Sequence, residues 1–176
     1  MYWFWYNAYQ VVPGGETITA IQLAFHPEAP VGRQMTAYLW RDPNNDGNPA
    51  DGVVVASAAG TIPGTGNVFF DFPITPYTFS PGDWFFAGAG IYYEANERIS
   101  YLDESNSGNA WVSLNTTNDP NDLDAFLFDL ADIAGGVWMA RAVGEAAVPE
   151  PQAGVLVMAG LGILVSLRRR RPERRG

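Results

Sequence analysis

Asp42, Asn44 and Asp46 stand at alternate positions of the segment Trp40–Asp51, and Gly47 follows directly. This pattern is the D-x-[DN]-x-D-G opening of a calcium loop. Calcium takes roughly six to eight hard oxygen ligands at about 2.3–2.6 Å. Alternate side chains of a tightly curled loop converge on one point, and Gly47 permits the sharp turn. The backbone carbonyl of Asn48 would supply the next ligand. Asp51 would close the shell, because the twelfth loop position, where a glutamate is expected, is Val53. That departure, with strands instead of helices on either side, argues against an EF-hand and suits a calcium-bound loop between strands. The competing reading is an Asx-rich turn whose Asp and Asn side chains cap their own backbone. The expected cofactor is Ca2+, on Asp42, Asn44, Asp46, Asn48 and Asp51.

Other segments carry less chemistry. Asn118–Asp124 is a second acidic turn, lacks the glycine, and reads better as the N-cap region of a helix. His26 is the only histidine and lies at a strand end before Pro27, a position typical of a surface residue. There is no cysteine, so disulfides and thiol chemistry are excluded. No G-x-S-x-G elbow, P-loop, H-E-x-x-H or G-x-G-x-x-G element occurs. A carboxylate-pair glycosidase stays open because aspartates are plentiful, although nothing pairs two of them in sequence.

Aromatic residues are the other resource, with six Trp, eight Tyr and ten Phe. Tyr2, Trp3, Phe4, Trp5 and Tyr6 are contiguous. In a strand, Trp3 and Trp5 share one face while Tyr2, Phe4 and Tyr6 share the other. One set then fills a core and the other is partly covered by a neighbouring element. The functional alternative is an exposed platform for stacking on sugar rings, with Trp3, Trp5, Trp40 and Trp84 as candidates.

The elements that must position these residues read as all-β. Strands are expected at Tyr2–Val12, Thr17–Phe25, Met35–Trp40, Val53–Ala58, Asn67–Phe72, Asp83–Tyr93, Ile99–Asp103, Ala110–Leu114 and Val137–Val143. Turns rich in Gly, Pro, Asn and Asp separate them. Thr17–Phe25 places apolar groups on both faces, as a central strand does. Only Asp122–Ile133 looks helical, with Leu123, Phe126, Leu127 and Leu130 at i, i+3, i+4 and i+7. The expected architecture is an antiparallel β-sandwich or jelly roll over residues 1–145. No internal repeat is evident.

Charge divides the chain in two. Ten arginines are its only cations besides the N-terminus, and six of them follow Leu167. Residues 1–148 hold Arg33, Arg41, Arg98 and Arg141 against seventeen carboxylates, a net of −13. Such a domain repels nucleic acid and anionic membrane and suits calcium.

The C-terminus is built of three parts in order. Residues 146–152 form a linker containing Val148-Pro149-Glu150-Pro151; residues 153–167 are uncharged; residues 168–176 are basic and open with Arg168-Arg169-Arg170-Arg171. As a helix, the fifteen uncharged residues span about 22 Å. A bilayer core is about 30 Å thick, so local thinning or snorkelling arginines must make up the difference. The arginine run sets the C-terminus in the cytoplasm by the positive-inside rule. A buried C-terminal helix and a nucleic-acid-binding basic tail are the bland alternatives, and both fit a Pro-x-Pro break, apolar run and arginine cluster poorly.

The order of Pro-Glu-Pro, apolar segment and basic end resembles the PEP-CTERM sorting signal of Gram-negative, biofilm-forming bacteria. The resemblance covers about residues 148–175. It implies an exported protein, held transiently at the inner membrane by a transmembrane helix until an exosortase-type enzyme processes it near Pro149–Pro151. Its destination would be the cell surface or an extracellular polysaccharide matrix. Such a signal also implies a secretory leader, which Met1-Tyr2-Trp3-Phe4-Trp5-Tyr6-Asn7 does not provide; the expectation is that translation begins upstream. Trp138–Ala142 bears a weak likeness to the closing strand of secreted bacterial β-sandwich modules.

These readings combine into one expectation: a non-enzymatic, exported, acidic β-sandwich stiffened by calcium, with no nucleic-acid partner. A carbohydrate-binding module for exopolysaccharide is the second hypothesis, and a small aspartate-dependent polysaccharide hydrolase the third.

Overall fold

The computed structural model describes residues 1–94, 97–104, 109–133 and 136–145. The Pro-Glu-Pro linker, the apolar run and the arginine tail lie outside the described residues, so the expected transmembrane helix does too. Among the described residues no helix is long and apolar enough to cross a membrane.

The fold is all-β and its sheets are antiparallel. The larger sheet contains β1 (Tyr2–Gln10), β3 (Gln34–Arg41), β4 (Val53–Thr61), β6 (Trp84–Tyr92), β8 (Ala110–Asn115) and β9 (Leu127–Asp129). Its strand order is β4-β3-β6-β1-β8-β9. The smaller sheet has order β11-β2-β5, from β2 (Thr17–Leu23), β5 (Phe70–Thr78) and β11 (Ala140–Glu145). A two-stranded ribbon pairs β7 (Leu102–Asp103) with β10 (Val137–Trp138).

The main core lies between the two large sheets. Trp5, Leu39, Phe85, Ala87, Ala89 and Ile91 from one sheet meet Ile21, Leu23, Phe72, Ile74 and Ala140 from the other. These are alternate positions of their strands, so period-2 patterning decides which side chains point inward. Ile18 is also in this core, although it has the opposite parity to Ile21. Thr19 is an extra residue against β11, and this bulge changes the facing of the strand. The expected central position of Thr17–Phe25 is found, with β11 and β5 on its two sides.

The outer face of the larger sheet holds a second apolar cluster. Phe4, Tyr6, Trp40, Phe86 and Leu123 are fully buried there. Phe4 stands opposite Gly90 and Tyr6 opposite Gly88 across the β1/β6 register. The two missing side chains leave room for the aromatic rings to lie down on the sheet.

Two expectations require correction. Asp122–Ile133 is not a helix: only Leu130–Ile133 is helical (α1), and Leu127–Asp129 is a strand on the edge of β8. The apolar positions that suggest one helical face are divided between clusters: Leu123 is buried on the outer face, Leu130 in the main core, and Phe126 is 57% exposed. The segment wraps around the sheet edge. The strand expected at Asn67–Phe72 instead runs Phe70–Thr78 and includes Pro73 and Pro76. It is an edge strand, where a missing N–H breaks no inner ladder.

Candidate functional site

The Asp42–Asp51 loop connects β3 to β4 and is curled by its own side chains. Asp42 is 8% exposed. Its Oδ1 accepts from Asn45 N at 2.9 Å and its Oδ2 from Gly47 N at 2.7 Å. Asn44 Oδ1 accepts from Asp46 N at 3.1 Å, and Asp46 Oδ1 from Asn48 N at 2.7 Å. Asn48 Oδ1 accepts from Ala50 N at 3.0 Å and caps a 3-10 turn at Pro49–Asp51. Asn45 and Gly47 have φ of 60° and 80°, which supply the reversal the sequence pattern requires. Asn45 Oδ1 accepts from Trp84 N at 2.6 Å and ties the loop to β6.

The loop therefore has the curl of a calcium loop and the hydrogen bonds of an Asx-rich turn together. These features are compatible, because a carboxylate oxygen accepts more than one partner. Burial, then the Asp42 and Asp46 carboxylates, push the Asp51 carboxyl above its usual range. Asp51 thus feels two other acids of the loop. Among the described residues, however, no three acidic or histidine side chains form a ready cation cage. A bound calcium would draw on Asp42, Asp46, the Asn44 side chain and a carbonyl such as that of Asn48, with Asp51 or water completing the shell.

The second acidic turn does not cap a helix. Asn115 Nδ2 donates to Asp119 O and Asp122 O, at 2.8 and 3.1 Å. Asn121 Oδ1 accepts from Val54 N at 2.8 Å, and Pro120 O accepts from Trp40 Nε1 at 2.6 Å. The turn is clamped over the outer cluster. His26 Nδ1 accepts from Glu28 N at 3.1 Å, so one ring nitrogen serves a local turn.

Of the four tryptophans that the sequence offers for sugar stacking, burial excludes two. Trp5 is 1% and Trp40 0% exposed, so neither ring offers a free face. The period-2 pattern places Trp5 in the main core and Trp40 under the Asp119–Leu123 turn. Trp3 is half-buried against Tyr93, with ring centroids 4.7 Å apart. Trp84 is half-buried, and its indole lies against Gly47.

A different aromatic site lies on the outer face of the larger sheet. Tyr2, Tyr38 and Tyr92 surround a groove of about 510 Å³ whose polar groups include Gln34, Thr36 and Asn118. Tyr92 is 51% exposed. Tyr2 and Tyr92 are register partners and pack edge to face at 5.3 Å. These tyrosines are not among the tryptophans that the sequence pattern singles out for stacking. The available signal was their shared outward parity.

The described residues form an all-β fold of two larger antiparallel sheets and a two-stranded ribbon, and comparison with known proteins bears on the fold alone. No protein-family model matches the chain. No curated protein matches it. Among solved structures it is similar to the crystal structure of the cysteine protease and lectin-like domains of Cwp84, a surface layer associated protein of Clostridium difficile. The identity is 13% and the TM-score 0.57; the match covers 83% of this chain and 32% of that chain. The chain thus spans about a third of the length of that solved structure.

Proposed function

We propose that the chain is a non-catalytic, acidic β-sandwich module that works outside the cytoplasm and whose Asp42–Asp51 loop is stiffened by calcium. One observation carries the reading. The segment richest in chemically capable side chains commits them to curling its own backbone around Asn45 and Gly47. That curl supports a loop shaped for a hard cation over a general acid–base site. Without cysteine, the chain has no counterpart to the nucleophile of a cysteine protease.

Delivery rests on the tail. The resemblance of residues 148–175 to a PEP-CTERM signal supports export, transient anchoring in the inner membrane and processing by an exosortase-type enzyme near Val148, Pro149, Glu150 and Pro151. Arg168, Arg169, Arg170 and Arg171 would stop transfer. The Cwp84 structure belongs to a surface layer associated protein; a related fold in that setting agrees with a cell-surface or matrix role.

The test is calcium-dependent melting of the full-length chain in mild detergent. Calcium should raise the melting temperature, chelator should reverse the rise, and Asp42→Ala/Asp46→Ala should abolish it. An unchanged melting temperature at millimolar calcium would reduce the loop to a polar turn. Co-expression with an exosortase should shorten the chain at its C-terminus, and Glu150→Ala should block this; an intact C-terminus in wild type would remove the sorting reading.

A further inference from the structure

We propose that the tyrosine groove on the outer face of the larger sheet binds an uncharged oligosaccharide. The inference rests on the reading of the chain as an extracellular module and names the ligand class and the residues that take it.

The groove follows from strand parity. Gln34, Thr36 and Tyr38 are alternate residues of β3 and so share one face, each about 7 Å from the next. Gly90 pairs with Thr36 on one side and Phe4 on the other. A Cβ at Gly90 would come within 2.5 Å of the Phe4 ring and 3.1 Å of Tyr38. The Phe4 ring lies over Gly90 with Tyr38 beside it, so no β6 side chain projects between Tyr38 and Tyr92 and the groove floor is flat. Tyr92, two residues further along β6, and its partner Tyr2 form one wall. Tyr38, tilted against Phe4 with centroids 6.0 Å apart, forms the other.

The chemistry of the walls selects the ligand. A tyrosine ring presents an electron-rich face, which the C–H face of a pyranose complements. Hydroxyls and carboxamides both donate and accept, as sugar hydroxyls do, and Thr36, Gln34 and Asn118 supply them around the rings. No lining residue is charged, in a domain whose net charge is −13. Arg33, which donates to Tyr92 O, is itself paired with Glu94 and Glu97, so a phosphorylated or uronate chain would meet no free cation among the described residues there and a repulsive surrounding field. A proline-rich peptide also stacks on aromatic grooves. The alternation of rings with three different polar side chains favours the polyhydroxylated ligand.

The experiment measures binding of the full-length chain, in mild detergent, to neutral hexasaccharides of glucose, mannose and galactose. Oligogalacturonate and a proline-rich decapeptide are run beside them. At least one neutral hexasaccharide should bind saturably. Tyr92→Ala, at an exposed position that does not threaten the fold, should weaken it about tenfold or more. Tyr92→Phe keeps the ring and should retain binding within about threefold. Three results would each overturn the proposal: no neutral chain binds the folded protein, Tyr92→Ala binds as wild type does, or only oligogalacturonate or the peptide binds. The calcium and sorting tests use other residues, so failure there and failure here are separately visible.

Discussion

The Asn7 side chain pairs with the backbone of Trp138 as a neighbouring strand would. Asn7 Nδ2 donates to Trp138 O at 2.7 Å, and Asn7 Oδ1 accepts from Trp138 N at 3.1 Å. The same Nδ2 donates to Ala140 O at 2.8 Å. One carboxamide of β1 thereby joins the larger sheet to the chain crossing from β10 to β11. Asn7 is 6% and Trp138 7% exposed, so little water can replace these bonds. Asn7→Ala removes this partner from the Trp138 N–H and carbonyl, while Ala140 O keeps the Tyr9 hydroxyl, and should cost about 2–3 kcal/mol. Asn7→Asp should cost at least as much, because a carboxylate cannot donate to the two carbonyls. Urea unfolding of both variants measures this; a loss under about 1 kcal/mol would mean that water enters and substitutes.

Gly88 is a steric requirement. It lies in β6 between Tyr6 of β1 and Tyr38 of β3, and both neighbouring strands hold it. A Cβ there would sit 2.0 Å from the Trp5 carbonyl oxygen and 2.5 Å from Tyr6 Cβ. Gly88→Ala should therefore cost about 3 kcal/mol or more, or leave the chain insoluble. Gly82→Ala is the contrast. Gly82 has φ of 91° with nothing within 4 Å of a Cβ, so only backbone strain opposes the change. That should cost about 1–2 kcal/mol. Equal losses in thermal and denaturant unfolding would contradict the steric account.

The path of residues 118–130 gives a third prediction. Leu123 is buried beside Trp40 and Phe86, while Phe126 is 57% exposed. Leu123→Ala should cost about 2–4 kcal/mol by opening a cavity in the outer cluster. Phe126→Ala should change stability by no more than about 0.5 kcal/mol. Were the segment a helix with both side chains on one buried face, the two losses would be similar. Acrylamide quenching of tryptophan should rise in the first variant and not in the second.

The sequence made the strands legible where side chains alternate cleanly. Tyr2–Tyr6 divides as expected, with Trp3 and Trp5 toward the main core and Tyr2, Phe4 and Tyr6 outward. Leu123, Phe126, Leu127 and Leu130 misled because helical spacing does not say whether the residues meet one surface or two. The bounds of β5 are not legible locally, because prolines disfavour a central strand and permit an edge, and edge position is a tertiary property. The curl of the Asp42–Gly47 loop was readable from residue types with local backbone preferences. The tyrosine groove was not. It depends on Gly90 lying between Thr36 and Phe4, a pairing of three strands that local sequence does not contain.

The buried tyrosines predict a loss of stability at alkaline pH. Burial pushes the Tyr6 hydroxyl well above the usual tyrosine range, and its 2.5 Å hydrogen bond with Ser113 offsets only part of this. Tyr9 and Tyr38 are also raised, chiefly by burial. In the unfolded chain all three ionise near pH 10; in the folded chain they hold their protons higher. Their contribution is fully present below about pH 10 and is lost as pH rises from there toward the folded values. Each fully protected tyrosine adds up to about 1.4 kcal/mol per pH unit to that fall. Urea midpoints should be flat, as far as these tyrosines are concerned, from pH 7 to 9 and drop above it. Tyr6→Phe should make the drop shallower and cost about 1 kcal/mol at neutral pH, since Ser113, itself fully buried, loses its partner. Adding Ser113→Ala should recover most of that neutral-pH cost while leaving the shallower alkaline slope. An unchanged slope in Tyr6→Phe would mean that Tyr6 ionises as readily in the folded chain as in the unfolded one.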